Sequence, residues 1–414
     1  MPKHLTIFMA IMTLLGSFIS SASPAMAKDG RSASFADFDR RATAGEPLSV
    51  VFFGGSLTWG ANATDPQRTS YRALMAQYLR ERYPKAPITF HDAAIGGTGS
   101  KLGMFRVERD VLSRDPDLVF LDFTANDDLT SDDPTTLASY EALLRTMIGR
   151  DIPVVQCVFG FKFNVGKNWH PEKLLRVIAH KKLSAAYGTP VGDGLAYIQS
   201  KIDAGETTPE ALWPIDGGHP DDPGYRLFFE AVRDAYEQAV AQKMVCHVPA
   251  EPVFSDQYMT RQRIRLIELP APAGWSRALT YRTSMWFDGL SSRWMGDVLA
   301  CDATKGPIEP LSVTFSGTFV GIFGEADQNG MGFKVAIDGK PVMYQPSKKD
   351  PPTDVWSMDT HRFGEGRLFM WREISNSLSA GTHTMVITPV PHDGPKPGQL
   401  RIESVCVAGQ AKAR

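Results

Sequence analysis

The sequence has almost no net charge: 44 Lys and Arg stand against 46 Asp and Glu in 414 residues, a formal charge of −2. That balance excludes the basic footprint of a nucleic-acid binder and points to a neutral ligand, or one engaged locally. Cysteine is scarce. Cys157, Cys246, Cys301 and Cys406 are the whole set, and no two have the close spacing of a zinc or redox motif, so they are assigned no chemistry. Cys157 lies in the apolar run Val154–Phe159 and reads as an inert buried thiol. Any disulfide would join two of the other three. Internal repeats are absent too, which excludes solenoids and arrays. Long apolar runs are missing except at the start, where Leu5 to Ile19 follows Lys3. That run falls short of the roughly 20 residues a spanning helix needs. Ala25-Met26-Ala27 then offers a small-x-small cleavage pattern before polar Lys28-Asp29-Gly30. Residues 1–27 therefore read as a signal peptide cut after Ala27. The expected mature protein is secreted or periplasmic, without a stable membrane span. Losing Lys3 takes its formal charge from −2 to −3, since residues 1–27 contain no acid.

The remainder divides into two halves of different periodicity. Between 28 and 245, short apolar runs predict strands at Leu48–Phe53, Ile88–His91, Leu118–Phe123 and Val154–Phe159, with a weaker one near Pro190–Val191. Helical patterns separate them at Tyr71–Arg82, Leu102–Leu112, Thr135–Ile148 and Pro171–Tyr187, and Tyr225–Lys243 closes the region. Continuous apolar strands alternating with helices imply a parallel sheet covered on both faces. Residues 246–255, with His247-Val248-Pro249-Ala250-Glu251-Pro252, read as a linker. From 256 to 409 the pattern changes to short alternating segments: Ser312–Phe315, Phe319–Phe323, Lys334–Ile337, His383–Ile387 and Leu400–Val407. Asp338-Gly339 and Ala380-Gly381 supply turns between them. This half predicts an all-β sandwich of jelly-roll type.

Ligand sites in parallel α/β sheets gather beyond the carboxyl ends of the strands, and four segments there invite a chemical reading. Ser56 follows the first strand behind Gly54-Gly55, so it is either a serine in an ordinary glycine turn or a nucleophile presented at the sheet edge. Asp216-Gly217-Gly218-His219-Pro220 precedes the last helix. A serine hydroxyl needs a base, and imidazole needs an acceptor on its second nitrogen. Asp216 can supply that acceptor locally, although a capping aspartate beside a surface histidine would look the same. Ala94-Ile95-Gly96-Gly97-Thr98-Gly99-Ser100 follows the second strand, either as a helix lead-in or as a source of backbone N–H groups for an oxyanion. Asn126, after the third strand, is either an Asx-turn residue or a side-chain donor to that oxyanion.

Together and in this order, the four segments resemble the blocks of the SGNH hydrolase superfamily, the GDSL esterases and lipases. Gly54-Gly55-Ser56-Leu57 matches the first block, Asp92–Gly97 the second, Ala125-Asn126-Asp127 the third and Asp216–Pro220 the fourth. The resemblance covers about residues 46–243. It implies a flavodoxin-like three-layer α/β/α domain, with Ser56 as nucleophile, His219 as base and Asp216 as orienter. Ser56, Gly97 (Gly96 being a near alternative) and Asn126 would form the oxyanion hole. No metal or organic cofactor is implied. Two departures stand out: Gly55 replaces the Asp of Gly-Asp-Ser, and Thr124-Ala125 stands where Gly is frequent.

The family includes lipases, thioesterases, carbohydrate deacetylases and acyltransferases. An appended β-sandwich favours an acylated carbohydrate as substrate, a fold-level analogy. Trp275, Trp286, Trp294, Trp356 and Trp371 fall in the second half, where a tryptophan is more often core than sugar platform. Trp59 and Trp213, close in sequence to Ser56 and Asp216, are the expected substrate-lining pair, and Gly160–His170 is a candidate rim. The expected function is a carbohydrate esterase that removes acetyl or another short acyl group. The alternatives are an acyltransferase on envelope glycans and an inactive glycan-binding or assembly protein.

Overall fold

Strands made of unbroken apolar runs have no polar face to show water, so they fold into a sheet shielded on both sides. The computed structural model describes residues 32–281, 295–347, 349–358, 368–393 and 398–409. In it β1 (Leu48–Gly54), β2 (Ile88–Asp92), β3 (Leu118–Asp122), β4 (Val154–Val158) and β5 (Val191–Asp193) pair in parallel in the order β2-β1-β3-β4-β5. Helices α1 (Phe35–Ala44), α2 (Ser56–Trp59), α3 (Tyr71–Arg82), α4 (Ser100–Asp110), α5 (Pro134–Ile148), α6 (Leu175–Tyr187), α7 (Gly194–Asp203), α8 (Pro209–Leu212) and α9 (Asp222–Ala241) flank the sheet. This is the flavodoxin-like arrangement, in which ligands bind where the strand order reverses, between β1 and β3. Ser56 follows β1 and Asn126 follows β3.

The expected helix Pro171–Tyr187 is broken. Pro171–Lys173 forms a single 3-10 turn, Leu174 leaves helical geometry at φ −84° and ψ 65°, and α6 starts after it. Helices α1, α2, α7 and α8 lie outside the expected set. The apolar stripe of α1 comprises only Phe35, Phe38 and Ala42, too little to register as a period.

The second half consists of two antiparallel sheets. β6 (Arg261–Arg265), β7 (Trp275–Ala278) and β8 (Val298–Asp302) belong with β10 (Phe319–Ala326), β14 (Leu368–Ser375) and β16 (Gln399–Ala408) in one sheet. β9 (Leu311–Ser316), β11 (Gly332–Ile337), β12 (Lys340–Pro341), β13 (Val355–Trp356) and β15 (Thr382–Val390) make the other. Inward residues of both, such as Val313, Ile322, Val335, Met385 and Ile402, fill one core. β6 lies outside the expected strands, since Arg-Gln-Arg-Ile-Arg carries no run of apolar residues. Its charges are paired instead: Arg263 and Arg265 straddle the fully buried Glu403 at 2.8 and 2.9 Å, and Arg261 reaches Glu108 of α4 at 3.0 Å.

The halves are packed against each other. Phe105 of α4 stacks on Phe319 at 5.8 Å, with Trp371 and Tyr258 alongside. Between them, buried Glu141 of α5 accepts the backbone N–H groups of Phe254 at 2.7 Å and Ser255 at 3.3 Å, pinning the connection. All four cysteines are free and buried, so no disulfide joins Cys246, Cys301 or Cys406. Burial pushes the Cys157 thiol well up, as an inert thiol requires. Among the described residues no helix is long and apolar enough to cross a membrane. The expected signal peptide, residues 1–27, lies outside the described residues.

Candidate active site

β1 ends in two glycines for a steric reason. A Cβ on Gly54 would sit 2.3 Å from Thr58 Oγ1 and 2.5 Å from the Asp122 carbonyl oxygen, and one on Gly55 would sit 2.2 Å from Asn126 Oδ1. Their absence lets the chain turn sharply into α2, whose first residue is Ser56. The turn is fastened from below. Thr58 Oγ1 donates to Asp122 Oδ2 at 2.9 Å and lies 3.3 Å from the Tyr71 hydroxyl. Burial pushes the Asp122 carboxyl up to about 7, against hydrogen bonds from Thr58 and Thr124.

Ser56 Oγ is 2.9 Å from His219 Nε2, a hydrogen-bonding distance. His219 arrives on the loop before α9. Asp216 shapes that loop, its Oδ1 accepting the backbone N–H groups of Gly218 at 2.6 Å and His219 at 2.7 Å. Its Oδ2 faces His219 Nδ1 at 3.5 Å, an electrostatic contact longer than a good hydrogen bond. Asn62, which carries no motif, completes the group. Its Nδ2 donates to Asp216 Oδ2 at 2.8 Å and approaches the His219 carbonyl at 3.3 Å. Burial opposes ionisation of Asp216, but the bonds from Asn62, His219 and Gly218 outweigh it and hold the carboxyl below the usual aspartate range.

The second and third blocks converge on Gly55. Ile95 N–H donates to the Gly54 carbonyl at 3.0 Å, and the Thr98 carbonyl lies 3.5 Å from the Cβ position of Gly55, opposite the Asn126 side chain. Gly97, at φ +77°, is exposed on this loop. Its Cβ position is 3.9 Å from the ring of Phe369 on β14, so the β half brings an aromatic side chain to the site. Lys101 of α4 bonds Glu373 of β14 at 2.7 Å and holds that strand there.

The two expected substrate-lining tryptophans differ. Trp59 is half-buried at the end of α2, whereas Trp213 is 1% exposed and packs edge-on to Phe228. Trp213 therefore backs the Asp216 loop from the core and offers no face to a ligand, a correction to its expected role. In the second half Trp275 and Trp356 are buried and Trp371 packs between the halves, while Trp286 and Trp294 lie outside the described residues. The segment expected to form a rim does lie beside the His219 loop: Lys162 N–H donates to the Gly217 carbonyl at 2.9 Å. A cavity of 600 Å³ opens there, lined by Lys162, Phe163, Gln199, Glu210 and Gly217 among others, and Phe163 is 59% exposed.

Residues 52–227 match the model of the GDSL-like lipase/acylhydrolase family. No curated protein matches the chain by sequence. Among solved structures, it is similar to a two-domain esterase (CEX) active on acetylated mannans and co-crystallised with mannopentaose. That likeness has 19% identity, a TM-score of 0.71, and covers 91% of this chain and 95% of that one. It is also similar to Axe2, an acetylxylan esterase from Geobacillus stearothermophilus, at 20% identity and TM-score 0.39, over 47% of this chain and 96% of the other. The five-stranded parallel sheet followed by antiparallel sheets matches the architecture of the two-domain esterase. Residues 52–227 thus carry a GDSL-like lipase/acylhydrolase domain.

Proposed function

We propose that this protein is a serine esterase that removes acetyl or another short acyl group from a polysaccharide through an acyl-enzyme. The observation that carries the reading is the 2.9 Å contact between Ser56 Oγ and His219 Nε2 at the carboxyl edge of the sheet. His219 takes the Ser56 proton as Oγ attacks the ester carbonyl. The N–H groups of Ser56 and Gly97 and the Asn126 amide hold the developing oxyanion. Collapse breaks the ester C–O bond, and His219 returns the proton to the departing sugar oxygen. Water, deprotonated by His219, then attacks the acyl-enzyme and releases the acid.

Three features support a short acyl group on a long alcohol. Phe369 narrows the space beside Gly97. The open groove with exposed Phe163 next to the base loop offers apolar surface and polar edges to a sugar chain. The similar two-domain esterase acts on acetylated mannans and aligns over both halves. The N-terminal pattern supports export of the chain, with cleavage after Ala27. The test is acetate release from acetylated polysaccharides. Ser56→Ala should lower turnover on the order of 10⁴-fold or more while its thermal unfolding stays that of the wild type. Substantial turnover by a folded Ser56→Ala would sink the assignment.

A further inference from the structure

The mechanism above leaves one buried carboxylate beside the site without a task. Asp127 directly follows Asn126 and is 6% exposed. Its Oδ1 accepts the backbone N–H of Ser100 at 2.8 Å. Ser100 is the first residue of α4, and a helix start leaves such N–H groups without partners. A capping side chain usually supplies the acceptor, but the position before Ser100 is Gly99, which has none. The cap comes instead from 27 residues away. Gly99 must be glycine for this, because a Cβ there would lie 2.4 Å from Asp127 Oδ1.

This backbone hydrogen bond, with the Ser100 side chain also favouring the Asp127 carboxylate, ties together two loops that leave different strands. On the β2 side, Ser100 lies three residues past Gly97. On the β3 side, Asp127 lies one residue past Asn126. Asp127 is itself held from behind: Arg176 Nη2 donates to its carbonyl oxygen at 3.0 Å and also to Thr136 Oγ1. Its second carboxylate oxygen has no hydrogen-bond partner among the described residues, so the Ser100 bond carries the connection.

We infer that Asp127 is a positioning residue, one that sets the separation between the Gly97 N–H and the Asn126 amide by capping α4 through Ser100. The inference rests on the reading of Ser56 as nucleophile and of Gly97 and Asn126 as oxyanion donors. An oxyanion hole works only when both donors aim at one oxygen position. Cutting the bond should therefore slow the chemical step and leave ground-state binding largely unchanged.

Two pairs of variants test this. Asp127→Ala removes the acceptor, whereas Asp127→Asn keeps an oxygen able to accept the Ser100 N–H. Ser100→Pro removes the donor at the first helical position, where proline is tolerated and where Gly99 is already extended at φ −101° and ψ −178°. Ser100→Ala removes only the hydroxyl and controls for it. Each is measured on 4-nitrophenyl acetate and for its rate of labelling at Ser56 by a fluorophosphonate, whose phosphoryl oxygen occupies the same hole. Asp127→Ala and Ser100→Pro should lose about 10- to 100-fold in kcat and in labelling rate. Their KM should stay within about threefold, and Asp127→Asn and Ser100→Ala should stay within about threefold in every readout. A folded Asp127→Ala or Ser100→Pro with near wild-type kcat would overturn the inference. So would an Asp127→Asn as slow as Asp127→Ala, because charge and not the acceptor would then matter. If Asp127→Ala does not fold, the Ser100 pair decides. An inactive wild type, or an active Ser56→Ala, would instead bring down the esterase reading, and this one with it.

Discussion

Ser56 and His219 meet at 2.9 Å, yet the protein holds the two in different ways. Ser56 is 7% exposed and sits on a turn whose glycines touch neighbouring atoms on every side: Thr58 and the Asp122 carbonyl at Gly54, Asn126 and the Thr98 carbonyl at Gly55. His219 comes on a loop in which residues 214–217 are exposed, and a Cβ on Gly217 would meet nothing within 4 Å. Ser56 is fixed by packing. His219 is fixed by a handful of hydrogen bonds centred on Asp216. A packed position tolerates no added atom, whereas a hydrogen-bonded one tolerates additions but not the loss of a donor.

The largest effect should therefore come from one methyl group on the packed side. Gly55→Ala places a carbon where Asn126 Oδ1 now approaches to 2.2 Å, so the Asn126 side chain must leave. Displacing that donor should cost about 100-fold in kcat on a short-chain aryl ester, in the range seen when one oxyanion donor is lost. Steady-state kinetics on the folded variant checks it. An unchanged kcat would mean that Asn126 does not act from its present position. With Asn126 placed as it is in this chain, position 55 has no room for the Asp of Gly-Asp-Ser.

On the hydrogen-bonded side the corresponding loss is Asn62→Ala, which deprives Asp216 Oδ2 of its donor at 2.8 Å. About tenfold in kcat is expected, since imidazole orientation would then rest on a 3.5 Å contact alone. The variant has a second signature in pH. Asp216 titrates below the usual aspartate range, so it favours the folded state fully above that range, and the contribution fades as pH falls through the lowered value. Removing Asn62 brings the carboxyl back toward its ordinary value, so the stability gap between wild type and variant should shrink as pH falls through the aspartate range. A gap in unfolding free energy that stays constant down through that range would show that Asn62 does not act through the Asp216 carboxyl.

These two positions also show what the sequence disclosed. The sheet was legible because strand periodicity is a local signal, and the meeting of Ser56 with His219, 163 residues apart, was expected from four blocks that together resemble a known family. Asn62 was not. It lies in an irregular loop at φ +67°, and its partner is 154 residues away, so no local pattern marks it. Trp213 misled for a related reason: closeness to Asp216 along the chain says nothing about which way a side chain faces. β6 was hidden because its arginines are neutralised by Glu403 and Glu108, partners that only the folded chain supplies.

The contact between the halves offers a smaller test. Lys101 and Glu373 join α4 to β14 at 2.7 Å, with both side chains partly exposed. Lys101→Ala should lower stability by about 0.5–1 kcal/mol, as for other solvent-screened pairs. If Phe369 stands beside Gly97 because this pair holds β14, activity on butyryl relative to acetyl esters should rise modestly as well. Loss of stability without any change in that ratio would show that Phe369 is positioned by its packing, Phe323 included, and not by the ion pair.

The smallest effect is expected at Gly217, and it puts the comparison at greatest risk. Gly217 sits one residue from Asp216, its carbonyl accepts the Lys162 N–H, and it belongs to the block that carries the base. Proximity to the site would make it as sensitive as Gly55. Its backbone is not in the left-handed region, and its Cβ position is empty to 4 Å, so alanine fits without strain. An alanine at such a site also restricts the unfolded chain, which adds about 0.4–1 kcal/mol of stability. Gly217→Ala should keep kcat on a small aryl ester within about twofold and unfold at slightly higher temperature. A tenfold loss would show that the loop must rearrange during turnover, and the base would then be held by something other than the hydrogen bonds at Asp216. With that small ester as reference, a loss confined to acetylated polysaccharide would locate the sugar chain in the groove beside Gly217, where the added methyl group projects.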